Sequence, residues 1–389
     1  MRRIKIFLVF GIFFGMLAFS INFSGNVCAF EDKLPKAFIN GSSSASSAIL
    51  LDANCGRVYY SKNADDRRAM ASTTKIATAI TVIDNCKNLD AEVKIDKRSV
   101  GIEGTSIYLR EGEVLTVREL LYGLMLRSGN DASVALANFC AGSVEEFCKL
   151  MNQMAKKVGA NDTNFSNPHG LDNENHYTTA RDLAKITVYA LENPDFAQIV
   201  STKNIKIPSK EESYRFLSNK NRLLNSLEGC IGVKTGFTSK AGRCLVSAVE
   251  REGMRVVCVV LNCGPMFEES AELINSVFNK YKGYSILEPY QFIADIPLGN
   301  GESNFVQVYS KNGLFLSLTE EEFANINIIY DLPKVLSAPV KSNEVVGKIE
   351  VYYGKHLIFS EKIYTIDDVD SKLLKDKVKD ILDHWKVLG

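Results

Sequence analysis

Ser72 and Lys75 stand three residues apart in Met70-Ala-Ser-Thr-Thr-Lys-Ile-Ala-Thr-Ala79, a spacing that puts both side chains on one face of a helix. A serine hydroxyl is a weak nucleophile until a neighbouring base takes its proton. Lysine is that base only when burial or another cation pulls its pKa down. A serine near a helix start also finds backbone N–H groups and a positive dipole end, which favour a developing oxyanion. The Ser-x-x-Lys pattern occurs once in the chain.

Two further elements extend this chemistry. Ser128-Gly-Asn130 is weak as a pattern, since Ser-x-Asn recurs at Ser20, Ser24, Ser61 and Ser310. It gains weight from its place, between the apolar run Leu120–Arg127 and an Ala-rich helical stretch from Ala132. There the Ser128 hydroxyl can relay a proton to a leaving group and the Asn130 amide can hold substrate. The third element is Gly232-Val-Lys-Thr-Gly236. Lys234 on a strand edge can bind a carboxylate and depress the pKa of Lys75, and Gly236 lets a substrate backbone approach the strand. Singly, each reads as a turn serine or a surface lysine. In this order they describe acyl transfer through Ser72.

The elements that must position these residues are legible in outline. Ala48–Asp52 and Val58–Tyr60 read as strands around an Asn54-Cys55-Gly56 turn. Helical patterns run from Ala71 to Ala160, broken at Gly101–Gly112 and Asn161–Gly170. Cys244–Val249 and Arg255–Leu261 flank Glu252-Gly253 as a hairpin. Strands therefore open and close a helical middle, which predicts an α+β domain whose two ends meet in one sheet. From about Leu287 to Ile366, short β-rich runs separated by turn residues predict a small all-β domain. Beyond it, Leu374, Val378, Ile381, Trp385 and Leu388 mark one face of a helix, either docked on its own domain or lying on a membrane surface.

Ser-x-x-Lys, Ser-x-Asn and Lys-Thr-Gly in this order resemble the signature of penicillin-binding proteins and class A β-lactamases. More narrowly, residues 45–285 resemble the low-molecular-mass serine D-alanyl-D-alanine carboxypeptidases. Supporting stretches are Ala71–Ile76, Asn167-Pro-His-Gly-Leu171, His176–Ala184, Asn221-Arg-Leu-Leu224 and Val233–Thr238. The resemblance implies a transpeptidase-like domain, an antiparallel sheet flanked by helices, over 30–285. It also implies a β-rich domain over 286–366 and an amphipathic helix over 367–389.

It further implies that Ser72 attacks the carbonyl between two D-alanines of a peptidoglycan stem pentapeptide, with Lys75 as base. Ser128 and Asn130 would line the site and help a proton reach the departing D-alanine. Lys234 and Thr235 would receive the terminal carboxylate, and the N–H groups of Ser72 and Phe237 would form the oxyanion hole. A β-lactam antibiotic would form the same ester and leave it slowly. Some family members carry an arginine beyond the Lys-Thr-Gly strand to grip the carboxylate; Cys263–Phe278 contains none, and Arg243, Arg251 and Arg255 are near in sequence. A β-lactamase would need a deacylating carboxylate, for which Glu174 is the obvious loop acid. A non-catalytic penicillin receptor or wall-binding module is the other rival.

No cofactor is implied. His169 and His176, seven apart in a loop rich in Asp and Asn, could suggest a metal, but the resemblance makes that loop structural and assigns no metal.

Composition bounds the rest. The 389 residues carry 46 basic and 46 acidic side chains, which gives no reason to expect a nucleic-acid partner. Arg2, Arg3 and Lys5 precede an apolar run from Ile6 to Phe19, and no charge follows until Glu31. This describes a secretory signal cleaved after Ala29, or an uncleaved anchor, and in either case a body working outside the cytoplasm. Nine cysteines in all are too sparse for a disulfide scaffold, so buried thiols are the expectation, with Cys258 in strand core.

Overall fold

The computed structural model describes residues 33–373 and 378, apart from 38, 40 and 211–213. The expected leader, and the helical face from Leu374 except Val378, lie outside the described residues.

Strand β1 (Ser47–Asp52) turns through Asn54–Gly56 into β2 (Val58–Lys62). Asp52 shapes this turn by accepting from the N–H groups of Asn54 and Cys55 at 2.6 and 3.1 Å. A 3-10 turn, Ala71–Thr74, runs directly into helix α1 (Lys75–Asn85), which is buried from Lys75 to Val82. The next thirty residues hold no α-helix, only a 3-10 turn at Lys97–Ser99. Here β3 (Glu92–Lys94) pairs antiparallel with β4 (Val114–Thr116) around the Gly101–Gly112 loop. Each strand is three residues long, too short for an alternating pattern to stand out in the sequence.

Helix α2 (Val117–Arg127) starts at a capping box: Thr116 accepts from Glu119 N–H, and the Glu119 carboxylate accepts from Thr116 N–H. It ends at Ser128, whose φ of 65° turns the chain sharply into α3 (Asn130–Ala141). Then come α4 (Val144–Lys157), capped by Ser143, and α5 (Ala180–Leu191), capped by Thr179. Helix α6 (Pro194–Ser201) is capped by Asn193, with proline where its missing N–H costs nothing. A hairpin, β5 (Asn204–Ile207) and β6 (Arg215–Ser218), and a single turn, α7 (Leu223–Ser226), lead to the main sheet.

Strands β7 (Cys230–Thr238), β8 (Gly242–Arg251) and β9 (Met254–Leu261) complete that sheet, and α8 (Met266–Phe278) follows. The order is β2-β1-β9-β8-β7, antiparallel throughout, with Leu50 opposite Cys258. The two ends of the domain thus meet at β1 and β9. Glu252 and Gly253 both have positive φ, as a two-residue hairpin turn of this hand requires. Strand β9 is central, and Val256 to Leu261 are wholly buried. Val257, Val259 and Leu261 face the helical core, while α8 packs on the sheet with Leu273, Ile274 and Val277 buried. Burying each such valine contributes about 1.5–3 kcal/mol.

A second compact unit begins at Gly283. In it, β10 (Lys282–Leu287) pairs with β13 (Leu314–Leu318). Six strands make the larger sheet. In chain order they are β11 (Phe292–Gly299), β12 (Phe305–Ser310), β14 (Ile326–Asp331), β15 (Leu336–Ser337), β16 (Val345–Tyr353) and β17 (His356–Thr365). They lie in the order β14-β16-β17-β12-β11-β15. Alternation supplies its core: Val306 and Val308, then Ile349 and Val351, point inward. One short helix, α9 (Glu320–Ala324), interrupts the strands. The molecule is therefore α+β, with an antiparallel sheet covered by helices in one unit and a β-rich second unit.

Candidate active site

The 3-10 turn before α1 presents Ser72 beside the start of α1. Ala71, just ahead of the serine, has a φ of 49°, a conformation costly for any residue with a Cβ. The loop carrying His169 and Gly170 packs against it. A Cβ on Gly170, itself at φ +91°, would stand 2.0 Å from the Ala71 carbonyl oxygen, so only glycine fits there. Thr73 and Thr74 donate back to the carbonyls of Met70 and Ala71 at 2.6 and 2.8 Å.

Lys75 is wholly buried. Its Nζ lies 3.0 Å from Ser72 Oγ, 2.7 Å from Asn130 Oδ1 and 2.5 Å from the His169 carbonyl oxygen. Burial pushes its pKa well below the usual lysine range, and the charges of Lys234 and Lys220 push the same way. Asp131 opposes them, but its carboxylate is held elsewhere: it accepts from the N–H groups of Ile107, Leu109 and Ala132 and from Ser106 Oγ. That carboxylate pins loop 106–109.

Asn130 opens α3 and is held from two sides. Its Nδ2 donates to the Glu103 carbonyl at 2.6 Å and its N–H to the Thr105 carbonyl at 2.7 Å. The amide that the sequence offered as a substrate contact therefore also anchors the base. Ser128 is 4% exposed in the left-handed link between α2 and α3, and its hydroxyl has no hydrogen bond among the described residues.

Strand β7 forms the opposite wall and is the edge of the sheet. Gly236 runs against the serine turn: a Cβ there would lie 2.9 Å from Ser72 N and 3.1 Å from Thr73 N. The Ser72 N–H, at the start of a helical turn, has no carbonyl one turn earlier to satisfy it. Lys234 is buried and donates to the Thr235 carbonyl at 3.0 Å. Burial first, then the Lys220 charge, lower its pKa to about 7. Thr235 is half-buried, and Phe237 is exposed.

Of the three arginines left open by the sequence, Arg251 and Arg255 are engaged at the far end of the hairpin. Arg251 binds the Glu228 carbonyl and Asn275, and Arg255 binds Glu250. Arg243 lies directly across from Phe237, exposed, on the same face of the sheet.

The two histidines brace the serine turn. His176 Nδ1 accepts from Ser166 N–H at 3.1 Å, so its proton sits on Nε2, 2.8 Å from Thr74 Oγ1. Thr74 in turn donates to Ala71, which makes a chain from the loop to the residue before the nucleophile. Burial, then Lys75, lower the pKa of His176 to about 4 and that of His169 to about 3, so both rings are neutral near pH 7. Glu174 is exposed on this loop, while its neighbour Asp172 accepts from Thr238 Oγ1 at 2.8 Å and ties the loop to the end of β7.

Three participants were not legible in the sequence. The His169 and Glu103 carbonyls are backbone groups, which any residue type supplies. Lys220, an exposed side chain whose charge acts on both Lys75 and Lys234, has no sequence mark beyond its place next to Asn221-Arg-Leu-Leu224.

Residues 35–264 match the D-alanyl-D-alanine carboxypeptidase family, and residues 281–371 match the penicillin-binding protein 5 C-terminal domain. The D-alanyl-D-alanine carboxypeptidase DacA of Escherichia coli K12 is 31% identical over 368 residues, 88% of each chain. DacF of Bacillus subtilis is 31% identical over 313 residues, 78% of this chain and 80% of its own length. Among solved structures, penicillin binding protein 5 from Haemophilus influenzae aligns over 85% of this chain and 98% of its own with a TM-score of 0.70 at 28% identity. The chain belongs to the serine D-alanyl-D-alanine carboxypeptidase family.

Proposed function

We propose that Ser72 is the nucleophile of this carboxypeptidase and that Lys75 acts on it as a neutral amine. The carrying observation is the set of three partners around Lys75 Nζ. A neutral amine has two protons and one lone pair. Asn130 Oδ1 and the His169 carbonyl are acceptors only and take both protons. The lone pair is left for the third partner, the Ser72 hydroxyl, whose proton it receives as Oγ attacks.

The substrate is a peptidoglycan stem peptide ending in D-Ala-D-Ala, seated with its chain along the edge of β7. Ser72 Oγ bonds to the penultimate carbonyl carbon, and the developing oxyanion is met by the N–H groups of Ser72 and Phe237. As the C–N bond breaks, the proton on Lys75 passes by way of Ser128 to the departing D-alanine amine. Water then cleaves the ester and returns a proton to Ser72. Lys234 and Thr235 hold the terminal carboxylate. An anion beside Lys234 favours its charged form and offsets the burial that depresses it. Thr235, Phe237 and Arg243 share one face of the β7–β8 pair, so Arg243 adds positive charge on the carboxylate side. A β-lactam acylates the same Ser72. The work is done outside the cytoplasm, at the cell envelope.

The test is D-alanine release from a stem pentapeptide by wild type and by Ser72→Ala. Wild type is expected to release D-alanine and to take up labelled penicillin, with the label lost slowly. Ser72→Ala is expected to fold, show the same unfolding midpoint within a few degrees, and do neither. Residual labelling of the variant would move the nucleophile elsewhere. Fast turnover of penicillin that depends on Glu174 would make the protein a β-lactamase.

A further inference from the structure

Helices α1 and α3 begin together and end together. At their starts, Lys75 donates to Asn130 at 2.7 Å. At their ends, Cys86 caps α1 and Cys140 lies in the last turn of α3. The helices are 11 and 12 residues long and pack against each other, so these cysteines lie roughly 16 Å from the site measured along the helices. There the two thiols lie close enough to influence each other's ionisation. Both side chains are half-exposed, and both pack against the edge of the hydrophobic core.

The other six described cysteines differ. Cys55, Cys148, Cys244, Cys258 and Cys263 are buried, and Cys230 faces the Gly232 carbonyl. None of them has a thiol as a hydrogen-bond partner among the described residues.

We propose that Cys86 and Cys140 form a disulfide that clamps the C-terminal ends of α1 and α3. Closing the bridge brings the two sulfurs to a bond length of about 2.05 Å. Either half-exposed thiol can open the exchange, and Cys86, at the very end of α1, attacks first. The oxidant is a disulfide of the thiol-exchange class. The Cys86 thiolate attacks one of its sulfurs and expels a first thiolate. Cys140, on losing its proton, attacks Cys86 Sγ of the mixed disulfide and expels a second. Two protein thiols are oxidised, one external disulfide is reduced, and the two protons go to the departing thiolates. The closed loop, residues 87–139, contains both Ser128 and Asn130, so the bridge restrains the far end of the frame that aligns them with Lys75.

The experiment uses purified protein exposed to excess oxidised glutathione, acid-quenched, alkylated with N-ethylmaleimide and mapped by mass spectrometry. The expected product is a cross-linked peptide pair joining Cys86 to Cys140, with both cysteines protected from alkylation. The oxidised protein should unfold about 5–10 °C above the reduced form. Cys86→Ser and Cys140→Ser should each fold, lack the cross-link, keep glutathione on the remaining cysteine, and unfold at a temperature indifferent to oxidant. Alkylation of both cysteines in folded, oxidised wild type would overturn the proposal. So would a cross-link from either one to a different cysteine, or equal midpoints for oxidised and reduced protein.

Discussion

Strands β9 and β7 belong to one sheet and are both largely buried, yet their sequences are built for opposite ends. In β9 the run Val256-Val-Cys-Val-Val-Leu261 is apolar on both faces, because helices cover both sides of a central strand. In β7 the comparable stretch is Gly232-Val-Lys-Thr-Gly236, with glycine where a neighbouring backbone approaches and a lysine wholly out of water. A central strand has every backbone group paired with a neighbour. An edge strand keeps a row of N–H and C=O groups unpaired, and here that row faces the serine. The same position in the sheet that is a liability for aggregation elsewhere becomes the surface on which a peptide can lie.

Three substitutions test that contrast, read by the rate at which labelled penicillin acylates Ser72. Gly236→Ala puts a methyl group 2.9 Å from Ser72 N, in the space assigned to the oxyanion. Loss of such a hole is expected to slow acylation about 10²-fold or more. A rate within a few-fold of wild type would mean that β7 does not border the reacting carbonyl.

Lys234→Arg acts through pH. Because burial lowers the Lys234 pKa to about 7, its charge is present below that pH and lost above it. The neutral form of Lys75 is lost in the other direction, as acid protonates it. The rate against pH is therefore a bell, with Lys75 on its acid side and Lys234 on its alkaline side. Arginine stays protonated, so Lys234→Arg should move the alkaline limb up by at least about one pH unit, about tenfold in rate on that side. An unmoved alkaline limb would assign it to another group.

Val259→Ala should leave acylation unchanged. It removes two methyl groups from a wholly buried position on β9 and should cost about 2 kcal/mol of stability, measured by denaturant unfolding. A large change in acylation from this central position would erase the division between the two strands.

Much of the site was legible because it is written in side chains at short, fixed spacings. Ser72 and Lys75 share a helix face whatever surrounds them, and Glu252-Gly253 between two apolar runs specifies its hairpin. The segment around Glu92–Lys94 and Val114–Thr116 was not legible as sheet, because two three-residue strands carry too little alternation to compete with the helical patterns beside them. Arg243 could not be singled out from Arg251 and Arg255 until the register of β7 on β8 set it opposite Phe237. The cysteine partners were equally hidden: Cys86 and Cys140 meet only because two helices of nearly equal length start from the same point.

The sequence by itself determined the candidate side chains, their order and the class of fold, since periodicity, caps and turn residues act over a few positions. Only the tertiary structure decided the electrostatic setting of Lys75. Lys75 is held well below the ordinary lysine range because distant segments bury it and set Lys234 and Lys220 near it, while the His169 carbonyl accepts from its amine. Desolvation and Coulomb energy depend on what lies close in space, and on no spacing along the chain.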